Sequence, residues 1–320
     1  MTAGHEALLN SAGLLDLSGR GRIRVTGEDR ARLLHAMTTN HVEQMKPGDG
    51  IYVFFLNAQG RILADAVLLC FEDHFLLDTG PETRRPIFEH LDRYIIADDV
   101  TLTDITDQTF SLGLEGPKAT EVAAQCGLSA PHHRFAHVRS GDFFVAAISA
   151  TGSHGVRVYG AVQNKDDAIA TMEGAGAIAA TPEDAETVRI ENFVPKYGCE
   201  ITEHTLPQET QQMHALHFQK GCYLGQEIVE RIRSRGNVHR HLRPLQLTGP
   251  VPAPGTELFL PGGAPAGNIT SAAALPLANA TRVFALAVVR AEAEAHNQPF
   301  NYTDGRDPGT AGILAEPPTF

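Results

Sequence analysis

One octapeptide concentrates the groups able to do covalent or redox chemistry: Lys220-Gly221-Cys222-Tyr223-Leu224-Gly225-Gln226-Glu227. Glycines on both sides of a thiol let the backbone turn tightly and approach another group closely. Ile228, Val229 and Ile232 recur at helical spacing, which predicts a helix beginning near Gln226. Cys222 then lies just before that helix, where the positive end of the dipole and Lys220 both favour thiolate, the form that attacks or ligates. The bland alternative is an inert buried thiol, which suits Cys70 in a strand and Cys126 near a helix end. With Cys199 these make four cysteines and no C-x-x-C pair, a pattern of free thiols rather than a zinc site or a self-held cluster. His214 and His217 could share a helix face, but no carboxylate or thiolate set accompanies them. They read as a solvated or capping pair, and no metal site is expected.

Two further sets of charged residues carry possible binding chemistry. Arg231, Arg233, Arg235, Arg240 and Arg243, with only Glu230 beside them, form a cationic stretch in a chain of net charge −12. Such a stretch either holds carboxylates or phosphates by forked hydrogen bonds or is a solvated helix face. The acidic balance and the lack of any long Lys/Arg run argue against direct nucleic-acid binding. No run approaches the roughly 20 apolar residues that span a bilayer, so no membrane association is expected. The first twenty residues carry Glu6 and Asp16 and only short apolar pairs, unlike a signal or transit peptide, which leads us to expect a cytoplasmic protein.

These groups must be positioned by more than one core, because 320 residues exceed what one core of about 250–300 residues holds. Arg22–Thr26 alternates as a strand, Gly27-Glu28-Asp29 follows, and Leu33, Leu34 and Met37 then take helical spacing. Phe110–Leu114, Gly116-Pro117-Lys118 and Val122-Ala123 repeat that strand–Gly–helix order, which suggests two related α+β halves. Between them, Gly50–Leu56, Ile62–Leu69 and His74–Asp78 predict a three-stranded antiparallel meander, and Pro86–Tyr94 a helix. From Leu242 onward prolines punctuate short β-like runs, the pattern of a small β-barrel. The tail from Asn301 to Phe320 shows little periodicity and is expected to be loosely held. The expected organisation is a core over residues 1–240, with 46–105 as an inserted α+β subdomain, and a barrel with its tail over 241–320.

The octapeptide matches the K-G-C-[YF]-x-G-Q-E signature of the YgfZ family, which the chain resembles nearly throughout. Arg189-Ile190-Glu191 with Pro195, Gly198 and Glu200 resembles a stretch shared with glycine-cleavage T-proteins. Leu206–Glu209, Met37–Asn40 with Pro47-Gly48, and Gly267–Ala272 also fit. The resemblance implies an α+β fold in the manner of the T-protein GcvT: a folate-binding core of two intertwined subdomains plus a C-terminal β-barrel. It implies tetrahydrofolate or a derivative as cofactor, and iron–sulfur client proteins, tRNA-modifying ones among them, as partners. Cys222 and Lys220 would carry the chemistry, and Arg189, Glu191, Asp65, Gln226, Glu227 and Arg231 would hold the folate.

Two departures from the T-protein pattern argue against classical turnover by aminomethyl transfer. Gly60-Arg61-Ile62-Leu63-Ala64-Asp65 stands where T-proteins have G-G-I-L-D-D, so one of two acids is lost, and on an alternating strand Asp65 faces away from position 64. Ala150–Arg157 stands where they have Y-T-G-E-x-G-F-E, losing the tyrosine and both glutamates. The rival is a folate-dependent one-carbon transferase or demethylase with Asp65 or Glu191 as general base. A folate-independent scaffold working through its barrel is a third reading.

Overall fold

Thr2 starts the first helix, α1 (Ala3–Asn10), by accepting the His5 amide on its hydroxyl, and the chain enters β1 (Gly13–Asp16). It then leaves that strand's sheet to build a second one: β2 (Gly21–Thr26), α2 (Arg30–Met37), β3 (Gly50–Leu56), β4 (Ile62–Cys70), β5 (Phe75–Thr79), α3 (Arg84–Asp92) and β6 (Thr101–Asp104). The computed structural model describes residues 1–236, 238–276 and 281–314. The second sheet runs β3-β4-β5-β2-β6, antiparallel throughout, with the predicted meander on one side. Alternation on β2 and β4 turns Ile23, Val25, Ala64, Ala66 and Leu68 toward Leu34 and Leu91 of the covering helices. Because β2 sits between β5 and β6, this unit starts at Gly21, and the expected start near residue 46 was too late. A strand's partners are non-local, and no local pattern announced them.

The chain returns to the first sheet with β7 (Thr109–Glu115), α4 (Ala119–Gln125), β8 (His137–Ser140), β9 (Phe143–Ala146), β10 (Gly155–Ala161), α5 (Lys165–Gly174) and β11 (Ile178–Ala179). Its order is β11-β1-β7-β10-β9-β8. Thus one α+β unit is threaded between the first and second strands of another. Fully buried Arg22 on β2 stitches the crossing, donating from Nη2 to Thr106 O at 2.6 Å and from Nε to Thr109 Oγ1 at 2.7 Å. The two strand–Gly–helix turns match physically. Gly27 and Gly116 have φ of 102° and 122°, and a Cβ would lie 2.0 Å from Asp99 O and 2.6 Å from Ser11 O respectively.

A capping box of Thr181 and Asp184 opens α6 (Pro182–Glu191). After an extended passage comes α7 (Gln226–Arg235), and then a closed barrel of β12 (Arg240–Thr248), β13 (Glu257–Phe259), β14 (Pro265–Pro276), β15 (Thr281–Arg290), β16 (Phe300–Asp304) and β17 (Asp307–Ile313), with the one-turn α8 (Ala291–Glu294) before β16. Here the expected loose tail is corrected. Phe300, Tyr302 and Ala311 enter the barrel core, and β17 pairs with both β16 and β12 to close it. Burial of two aromatic rings outweighs the weak periodicity that Gly305, Pro308 and Gly309 leave in the sequence. The final residues, 315–320, lie outside the described part.

Candidate functional site

A cavity of about 470 Å³ lies where the two sheets face each other, closed by α6 and the Val194–Tyr197 segment. That volume falls in the range of small-molecule sites. Strand alternation supplies its floor: Ala64 goes to the core, and Asp65 and Val67 go to the cavity. The Tyr52 hydroxyl, on β3, donates to Asp65 Oδ2 at 2.7 Å. Enclosure raises the pKa of Asp65 and, together with that carboxylate, pushes the Tyr52 phenol well above its usual value.

Beside this pair stands an aromatic wall. Tyr52 stacks on Phe135 with ring centroids 6.3 Å apart, and the His214 ring lies 5.3 Å from Tyr52 and 6.1 Å from Phe135. Phe135 takes a left-handed φ of 66°, unusual for a bulky residue. It is held there by its amide on Ala147 O at 2.9 Å and by Gly50, where a Cβ would come within 2.1 Å of the Phe135 carbonyl oxygen. His214 is exposed at the mouth, yet its ring is part of the wall. Partial enclosure, then the charge of Arg134, lowers its pKa. Arg134 stands over the Phe135 ring at 4.8 Å and has no carboxylate partner among the described residues.

Below the wall lies a buried ionic network. Asp78, on β5, is fully inaccessible and accepts from Arg20 Nε at 2.6 Å, Arg157 Nη1 at 3.0 Å and Tyr159 OH at 2.5 Å. Burial alone would raise its pKa, but Arg20 and Arg157 outweigh that and hold it well below the carboxylate range. Buried Glu115 pins the neighbouring loop, accepting from Ser149 Oγ and the Ala150 amide at 2.7 Å and the Thr151 amide at 3.0 Å.

The residues expected to hold a ligand divide. Asp65 and Arg189 line the cavity; Glu191, Gln226, Glu227 and Arg231 are not among its lining residues. Arg189 is committed elsewhere. It donates from Nη1 to Glu200 Oε2 at 3.0 Å and from Nη2 to Ser271 Oγ at 3.0 Å, with Glu186 as a further partner, so it ties α6 to the barrel. Glu191 leaves Oε2 buried without a partner among the described residues, and burial raises its pKa. Gln226 Oε1 accepts the Tyr223 amide at 3.1 Å, closing the first turn of α7, while Glu227 and Arg231 are exposed.

The octapeptide sits beyond the far ends of β3 and β4. Val229 is buried with Phe54, Leu56 and Ile62, and Gly60 lies where a Cβ would strike Ile228 at 2.7 Å. Gly225 has φ 83°, and a Cβ there would meet Asn57 O at 2.6 Å. Lys220 turns inward: its ammonium donates to the carbonyls of His35 and Thr38 at the end of α2, and burial pulls its pKa down to about 7. The lysine expected to favour the Cys222 thiolate therefore directs its hydrogen bonds to backbone carbonyls. Cys222 itself is the exposed member of the four cysteines. Among the described residues no group of three His, Cys, Asp or Glu is placed to hold a metal ion.

Sequence reasoning missed Tyr52, Arg134 and Phe135. Tyr52 looked like an ordinary strand residue, and nothing local marks the left-handed turn at Phe135. Arg157 was visible, as a departure from a glutamate-bearing pattern.

A family profile described as GCVT N-terminal domain matches residues 1–220. Among curated relatives, a chloroplast protein of Arabidopsis thaliana with a provisional transferase name is 29% identical over 83% of this chain, which spans 63% of that protein's length. Aminomethyltransferases of Rubrobacter xylanophilus and Thermus thermophilus are 29% and 28% identical, each over 91% of this chain and over 80% and 83% of their own lengths. The crystal structure of the glycine cleavage system aminomethyltransferase T from Bartonella henselae superposes with a TM-score of 0.87 at 20% identity, over 98% of this chain and 88% of that one. It shares the fold, barrel included.

Proposed function

The chain belongs to the GCVT N-terminal domain family, and from that premise we propose that it binds tetrahydrofolate or a derivative in the central cavity and supports assembly or repair of iron–sulfur clusters in client enzymes through Cys222. The observation that carries the reading is the cavity's chemistry: one enclosed carboxylate, Asp65, set beside a stacked wall of Tyr52, Phe135 and His214. A flat pterin suits that wall, and its adjacent N–H donors suit a carboxylate. At the mouth, Arg134 and Lys196 suit the carboxylates of a glutamyl tail. When bound, a reduced folate supplies nitrogens that can carry a one-carbon unit. This chain's part is to bind it, to fix Asp65 through the Tyr52 hydroxyl, and to enclose the ring.

The iron–sulfur half is supported by the YgfZ-like octapeptide, whose exposed thiol stands apart from the cavity. A thiolate ligates iron or exchanges with other thiols, and a hydroxyl does neither near neutral pH. Cys222→Ser should therefore keep folate affinity and fold yet fail to restore iron–sulfur enzyme activity in cells lacking the protein. Full restoration by the serine variant would remove the thiol from the account.

A second reading, folate-dependent one-carbon transfer, is favoured by the raised pKa of Asp65, which suits a general base, and by the aminomethyltransferase names of the relatives. The same cavity serves both readings. Turnover of an amine substrate with reduced folate, abolished by Asp65→Asn and untouched by Cys222→Ser, would decide for the transferase.

A further inference from the structure

Arg157 is 2% exposed and lines the cavity, yet its guanidinium is under-used. Of five N–H donors, its recorded hydrogen bond is the one from Nη1 to Asp78 Oδ2, and Nε is buried with no acceptor among the described residues. Buried donors left without acceptors are costly, and a cavity beside them is where an acceptor belongs. Other groups at this end are spoken for: Asp78 by Arg20, Arg157 and Tyr159, and Ser149 by Glu115.

The sheet register sets the spacing between this cation and Asp65. Val67 pairs with Asp78 across β4 and β5, and Asp65 shares the face of Val67, so Asp65 and Asp78 are diagonal neighbours roughly 7–8 Å apart at the backbone. Arg157 reaches in from β10 to Asp78. A carboxylate acceptor on one sheet and a guanidinium donor reaching in from the facing sheet thereby both line the same cavity.

We infer that Arg157 is a specificity-determining residue of the cavity, donating to the ring carbonyl of a 4-oxo pteridine while Asp65 accepts from the neighbouring ring and amino N–H groups. The inference rests on the folate reading and deepens it: the ligand must present a donor–donor–acceptor edge. Replacing the carbonyl by an amino group sets donor against donor, and sites built around a hydrogen bond reject such analogues strongly.

The test is calorimetric titration of the wild-type protein with tetrahydrofolate and with 4-amino-4-deoxytetrahydrofolate, in which an amino group replaces the ring carbonyl and the ring N–H that faces Asp65 is lost with it. The expected result is binding of the first and an affinity for the second lower by about 10- to 100-fold. Equal affinities within threefold would overturn the role of Arg157, whose spare donors would then be met by water, and leave the folate reading standing. No binding of either would overturn the folate reading and this inference with it. Arg157→Lys keeps a cation against Asp78 but withdraws the fork. In a variant with a native melting curve, the preference for the carbonyl ligand should shrink at least threefold while the share owed to Asp65 remains, and retention of the full wild-type preference would also refute the assignment.

Discussion

The cavity floor and the Lys220–Glu227 segment handle charge in opposite ways. In the floor, buried Asp78 and Arg157 join part-buried Arg20 and the Tyr159 hydroxyl in one network and leave Asp65 and one guanidinium with capacity toward the cavity. In the segment, the lysine is spent on the α2 carbonyls, Gly225 on a left-handed turn against Asn57, and Gln226 on its own helix start, while Cys222 remains exposed. A specific motif marks residues under constraint. Here most of them are scaffolding for a single free group.

The largest expected effect comes from breaking the floor. Asp78→Ala leaves Arg157 buried without its carboxylate and should cost about 3–5 kcal/mol in urea unfolding. Because two arginines outweigh burial and hold Asp78 below its ordinary pKa, its contribution is complete above the unfolded value near 4 and is lost only as pH falls through the lower folded value. The wild type should therefore keep this increment in mild acid. Next, Glu200→Gln weakens the Arg189–Glu200–Ser271 tie between α6 and the barrel, with an expected loss of about 1.5–3 kcal/mol.

In the segment, Lys220→Met should be read by pH. Burial lowers Lys220 from 10.5 to about 7, so the unfolded chain holds more protons between those values and wild-type stability climbs with pH across that window. The variant should lack that rise, measured as melting temperature from pH 7 to 10; an unchanged rise would show the lysine fully charged in the fold. Smallest in stability is Cys222→Ser, within about 0.5 kcal/mol, as surface changes usually are. Its effect should appear in alkylation instead. Cys222 should label before Cys70, Cys126 and Cys199, whose pKa values burial raises, and mass spectrometry showing Cys70 first would erase the contrast between the regions.

Much of the fold was legible wherever local pattern decides it. The meander of β3, β4 and β5 followed from alternation, and the two glycine turns from the order of residues around Gly27 and Gly116. The helix after Gln226 followed from Ile228, Val229 and Ile232. Strand partnership did not follow, since β2 joins β5 and β6 across long loops, and the barrel's last two strands were hidden by Gly305, Pro308 and Gly309. In the site, Asp65 was singled out by the resemblance of Gly60–Asp65 to the T-protein stretch, and alternation set it on the opposite face from Ala64. The tie that Arg189 makes was not legible, because its partners Glu200 and Ser271 come from distant segments. No helix among the described residues is long and apolar enough to cross a membrane.

The central claim is that reduced folate occupies the cavity over Asp65. A crystal structure of the protein with tetrahydrofolate at saturating concentration tests it most directly. The account predicts a pterin stacked on the Tyr52–Phe135–His214 wall with its N–H edge on Asp65 and its carbonyl toward Arg157. Ligand density against the Lys220–Gly225 segment, or a cavity holding only water at saturation, would contradict it.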